Sequence, residues 1–196
     1  MDAKTLFLHA DSALSAVISQ IKDDQWDMVM PEDFDTRDTA EVTLREIVNY
    51  HAYDEAWVPD TLAGKTIEEV GDAYDGDLLG DDPGGSYAAI VNKTVVAVEA
   101  LDDVTKPVHL SYGDFPAGEY LQHISLFRGL RAHDIAKAIG VDATLPEDLV
   151  QGLWDLLQGG NAEYWRSMGV YGPAVEVSED DTLQNRLLGL TSRQPD

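Results

Sequence analysis

The chain has no cysteine, so it has no disulfide framework, no thiolate nucleophile and no cysteine-based zinc site. Basic residues are scarce. Thirteen Lys and Arg stand against 37 Asp and Glu, for a formal net charge of −24. That field repels phosphate backbones and anionic lipid surfaces, and no Lys/Arg cluster offers a local exception, so neither nucleic acid nor membrane is expected as a partner. No apolar run approaches the length needed to cross a bilayer. The opening residues, MDAKTLFLHADSAL, are amphipathic and acidic rather than signal-like, and a cytoplasmic location is the simplest expectation. There is also no Gly-x-Ser-x-Gly elbow, P-loop or dinucleotide fingerprint.

What is present is helical periodicity. Leu6, Ala10, Ala13, Leu14, Val17, Ile18 and Ile21 recur at three- and four-residue spacing and predict a first helix ending between Lys22 and Asp24. Thr36 or Asp38 is placed to cap a second, which carries Val42, Leu44, Ile47, Val48, His51, Ala52 and Trp57 and is expected to stop near Pro59. Residues 60–82 form a long connection, with one helical turn predicted where Thr66 and Glu69 make a capping-box pattern. Its acidic run, Asp72 to Asp77 with Asp81-Asp82, lacks the bidentate Glu that closes a calcium loop and reads as a solvated loop.

A third helix is expected over Ser86–Leu101 and a short extended piece over Val108–Tyr112. A fourth helix runs from Pro116 to Ile139, with Gly140 terminating it. The expected fold class is therefore all-α: an up-down four-helix bundle over 1–140, with a helical extension over 141–196 packed on it. That extension comprises a helix over Pro146–Gln158, an irregular stretch, a strand-like segment at Ala174–Val177 and a closing helix over Thr182–Leu190.

Among the five histidines, His9 reads as a surface residue, His109 has no evident partner, and His133 need not meet its neighbour Asp134. His51 and His123 lie on or beside apolar helix faces. They are either hydrogen-bonded core residues or ligands. Glu55 follows His51 by one turn, so a His51–Glu55–His123 site for zinc, nickel or iron is chemically open. Arg128 and Arg131 are neighbours on the fourth helix. Buried guanidinium groups need partners: either an internal ion pair with Asp54 or Glu55, or a substrate carboxylate held in the guanidinium fork.

Several pieces together carry a resemblance. They are Gln25-Trp26 before the Pro31 loop, the helix from Leu44 through Asn49 and His51 to Trp57, Leu62-Ala63-Gly64 with Asp77 to Pro83, His133 to Gly140, and Arg186-Leu187-Leu188 with Arg193 and Pro195. Over nearly its whole length the chain resembles the DinB/YfiT-like superfamily, in particular actinobacterial proteins similar to the metal-binding domain of mycothiol-dependent maleylpyruvate isomerase. The resemblance implies a four-helix bundle with a divalent metal held by three side chains, which activates a low-molecular-weight thiol by lowering its pKa. It also leaves room for a homodimer. One family ligand maps to His51; the other two map to Phe127 and Arg131. Phe has no donor atom and Arg stays protonated.

Two expectations follow. Either His123 supplies a displaced ligand with His51 and Glu55, and a thiol-dependent isomerase or transferase is retained, or the Arg131 guanidinium stands in place of the cation. The second is preferred, because a positive charge there repels a metal. It leaves a cleft lined by His51, His123, Arg128 and Arg131 for a small anionic ligand.

Overall fold

Helix α2 (Leu44–Leu62) starts where Thr43 and Glu46 cap each other: the Glu46 N–H donates to Thr43 Oγ1, and the Thr43 N–H donates to Glu46 Oε2 at 2.8 Å. The computed structural model describes residues 1–31, 34 and 41–195. Thr36 and Asp38, expected as caps, lie outside them, and Thr43 takes that role. The other elements are α1 (Ala3–Ile18), α3 (Ile67–Val70), α4 (Pro83–Ala100), β1 (Pro107–Leu110), β2 (Gly113–Pro116), α5 (Ala117–Ile139), α6 (Glu147–Leu156), α7 (Asn161–Ser167) and α8 (Leu183–Leu190). The fold is thus mostly helical, and no helix among the described residues is long and apolar enough to cross a membrane.

A two-stranded hairpin accompanies the helices. The extended piece at Val108 is paired antiparallel with a return strand, Val108 facing Phe115 and His109 facing Asp114. Ser111 and Tyr112 make the turn, and Gly113, at φ +135, starts the return strand. Asp114 Oδ1 accepts a 2.8 Å hydrogen bond from His109 Nδ1, so His109 has a partner after all. At Ala174–Val177 no strand forms among the described residues; a single bond from the Val175 N–H to the Gly189 carbonyl holds that segment. Helix α7 occupies the stretch expected to be irregular.

Helix α2 continues through Pro59 instead of stopping there. Proline has no N–H to give the carbonyl one turn back, which is that of Glu55. The Thr94 hydroxyl on α4 donates to it at 2.8 Å. A neighbouring helix thereby replaces the bond that proline removes. The long connection after α2 folds back on the same helix: Arg45 bonds Asp77 and the Gly80 carbonyl, and Asn49 bonds the backbone of Gly76 and Leu78.

Among the four longest helices, α1 packs on α5 and α4, and α2 on α4. Helix α6 lies against α1 and α5, and α8 against α6. Leu14, Leu130, Leu149, Leu153, Leu187 and Leu188 share one buried apolar cluster, so the C-terminal helices enclose the same core as α1 and α5. Where α8 meets the Val175 segment the approach is close: a Cβ on Gly189 would fall 2.8 Å from the Val175 carbonyl oxygen. Backbone cannot move aside as a leucine side chain can. Gly189→Ala is therefore expected to cost about 1–3 kcal/mol, seen as a lower midpoint in urea unfolding, whereas Gly84→Ala, facing open space in α4, leaves the midpoint unlowered.

Candidate functional site

The face that α2 turns toward α5 places Ile47, Tyr50 and His51 opposite Leu126, Phe127, Leu130 and Arg131. These positions recur at helical spacing on each element, which aligns them along one wall. Helix α7 and the segment after it add Trp165, Val170 and Tyr171, and the C-terminal tail adds Arg193. Together they enclose a cavity of about 640 Å³, within the size range of small-molecule sites.

The wall is aromatic and cationic. His51 stacks on Phe127 with ring centroids 4.8 Å apart and planes at 29°, and Tyr50 meets both edge-on. The Arg131 guanidinium lies between two rings, 4.7 Å from the centroid of Phe34 and 5.3 Å from that of Phe127, a cation–π arrangement that holds the fork in place. Arg193 donates from Nε and one terminal nitrogen to the two oxygens of Asp134, both at 2.8 Å, and Arg131 stands 3.6 Å from the same carboxylate. Burial lowers the His51 pKa well below the usual histidine range, and the positive charges of Arg131 and then Arg128 lower it further. The imidazole is therefore neutral. Its Nε2 is buried without a hydrogen-bond partner among the described residues.

His123 is half-buried beside the cavity. It meets Trp165 edge-on at 4.9 Å, Tyr112 Oη through Nδ1 at 3.4 Å, and Glu119 through Nε2 at 3.7 Å. Burial lowers its pKa, opposed by the Glu119 charge.

Arg128 is not in this wall. One turn before Arg131 it points into the core, where its Nε and a terminal nitrogen donate to Glu55 Oε2 at 2.8 and 2.5 Å, with all three groups excluded from water. Asp11, on α1, stands 3.9 Å from Arg128 Nε, too far for a hydrogen bond. One cation thus faces two buried carboxylates and neutralises Glu55. Burial first, and then the charge of Glu55, push the Asp11 carboxyl up to about 8 against the pull of Arg128, so at neutral pH Asp11 keeps its proton.

The structure does not bring the expected His51–Glu55–His123 set together. His51 and Glu55 lie one turn apart on α2, but the carboxylate is drawn to Arg128 in the core and His123 stays among Trp165, Tyr112 and Glu119. Among the described residues no group of three or more His, Asp or Glu is placed to hold a metal ion. At the family-type positions, Phe127 covers the face of His51 and Arg131 covers Phe127; that donor set does not fit a divalent cation. Of the residues expected to line the cleft, His51, His123 and Arg131 do so, and Arg128 is a core ion-pair partner instead. Trp165 and Tyr171 were not foreseen, because they fall in the stretch read as irregular. Arg193 had a signal, its place in the C-terminal signature, but nothing in the spacing ties it to α5.

No protein-family model, curated protein or solved structure matches the chain, so the chemistry of the cavity itself carries the functional reading.

Two outcomes follow for the core cluster. Arg128→Met strands the buried Glu55 carboxylate and is expected to cost about 3–5 kcal/mol in urea unfolding, with much of the loss recovered by adding Glu55→Gln. Asp11 has a folded pKa above its unfolded value, so its contribution is full below about pH 4 and is lost as pH rises through about 8. Asp11→Asn, which cannot ionise, is therefore expected to gain on the native protein as pH rises from about 5 to about 8.5, with the difference in thermal midpoint levelling off above that.

Proposed function

We propose that this chain is a DinB-like helix-bundle protein whose cleft between α2 and α5 binds a small anionic ligand without a metal ion. The observation that carries the reading is the placement of Arg131 and Arg193 in the wall of one aromatic-lined cavity, in a chain with only 13 basic residues against 37 acidic ones. Acidic surfaces keep anions at a distance, so the Arg131 guanidinium, set beside the Arg193–Asp134 pair at a partly buried site, makes a local well in an otherwise repulsive field. Guanidinium nitrogens offer several donors in a fixed fork, the geometry that suits a carboxylate. A neutral His51 adds no charge of its own and packs as one more flat ring.

The bundle assignment is supported by the order of the four long helices, by the contacts of α1 with α5 and α4 and of α2 with α4, and by the sequence resemblance. A thiol-dependent isomerase or transferase reading would need metal donors where Phe127 and Arg131 stand, and no observation favours it.

Thermal unfolding in the presence of phosphate, succinate and benzoate tests the reading. At least one of these anions is expected to raise the midpoint, since a ligand at about a hundred times its dissociation constant adds about 2.7 kcal/mol. Arg131→Gln, shown to be folded by circular dichroism, is expected to lose the effect. No shift with any anion, or a shift that survives in Arg131→Gln, sinks the proposal. Metal analysis of untagged protein and of His51→Ala gives a second reading: stoichiometric zinc, nickel or iron that disappears in the variant would reinstate the metal site.

A further inference from the structure

Ten large hydrophobic side chains are exposed among the described residues, and four of them lie at the cavity just described. Tyr50 and Val170 line it directly. The Tyr164 ring lies 5.9 Å from that of the lining residue Trp165. Tyr112 reaches the lining residue His123 through its hydroxyl. Single exposed apolar residues are ordinary on a protein surface; a group of them around the mouth of a pocket marks the place where a ligand's apolar surface leaves water.

The interior has two chemistries. Arg131 and Arg193 form a cationic part, and Ile47, Leu126, Leu130 and Trp165 form an apolar part. Glu46 also belongs to the wall, and its bonds to Thr43 hold its carboxyl below the usual range. A fixed negative charge there penalises an anion of charge two or more while tolerating one charge placed at the arginines. A volume of about 640 Å³ far exceeds what a bare carboxylate fills and suits a ligand with an apolar body.

Resting on the anion-binding reading above, we infer that the ligand is an amphipathic monocarboxylate. Its carboxylate meets Arg131, beside the Arg193–Asp134 pair, and its acyl or arylalkyl body runs along Phe127 and Trp165 to the Tyr164–Val170 rim.

Isothermal titration of the full chain with acetate, butyrate, octanoate and octan-1-ol tests this. Burial of each added methylene is expected to tighten binding roughly threefold between butyrate and octanoate. The loss of the charge-assisted bond is expected to leave octan-1-ol at least about tenfold weaker than octanoate. Val170→Glu, at a lining side chain 37% exposed, is expected to weaken octanoate by about fivefold or more and to leave butyrate unchanged. Equal affinity for butyrate and octanoate overturns the inference while the anion site stands. Octan-1-ol binding as tightly as octanoate removes the arginines from head-group recognition. If no carboxylate binds, this inference fails, and the anion-binding reading then stands or falls on phosphate in the thermal-unfolding test above.

Discussion

All four long helices meet at the buried pair of Arg128 and Glu55. Arg128 comes from α5 and Glu55 from α2; Asp11 on α1 stands beside the guanidinium, and Thr94 on α4 bonds the Glu55 carbonyl. Apolar side chains along a helix tolerate small slides past one another, because one leucine is much like the next. A guanidinium that must meet a carboxylate out of water tolerates none. The ion pair is weak evidence of extra stability, since both charges were stripped of water to make it. What it supplies is a single permitted alignment of the four helices, and with it the positions of everything one turn away.

The cavity depends on that alignment. His51 is one turn before Glu55 on α2, and Arg131 is three residues after Arg128 on α5. Fixing the inner pair fixes the outer one. The two arginines thereby divide the labour between them: Arg128 neutralises a core carboxylate, while Arg131, held flat between Phe34 and Phe127, presents charge to a space large enough for a ligand.

Much of the helical framework was legible in the sequence because apolar spacing, capping boxes and a helix-ending glycine are local signals. The Thr66–Glu69 box and Gly140 each fall where a helix begins or ends. Pro59 misled because its local meaning, a helix stop, is overridden by a hydroxyl from residue 94, and no local pattern reveals a partner so distant in the chain. The return strand was hidden for the opposite reason: Gly113-Asp114-Phe115-Pro116 is too short and too rich in turn-formers to read as a strand. At the site, the residue types that can carry charge stood out, but their directions did not. Glu55 shares a face with His51 in sequence terms, yet its side chain serves α5, and only the packed helices decide that. Trp165 and Tyr171 enter the cavity wall from beyond two glycines at positive φ, Gly159 and Gly160, which reset the chain's course in a way that periodicity cannot follow.

The hydroxyl of Thr94 has a bearing on the order in which the chain assembles. The last turn of α2, beyond Pro59, lacks one of the bonds that an isolated helix would use to hold it. Until α4 docks, that turn must fray or leave the Glu55 carbonyl to water. The same carbonyl belongs to the residue whose carboxylate captures Arg128. Completion of α2, docking of α4 and closure of the ion pair with α5 are therefore facets of one cooperative step, and a partly assembled chain gains little by making any one of them alone.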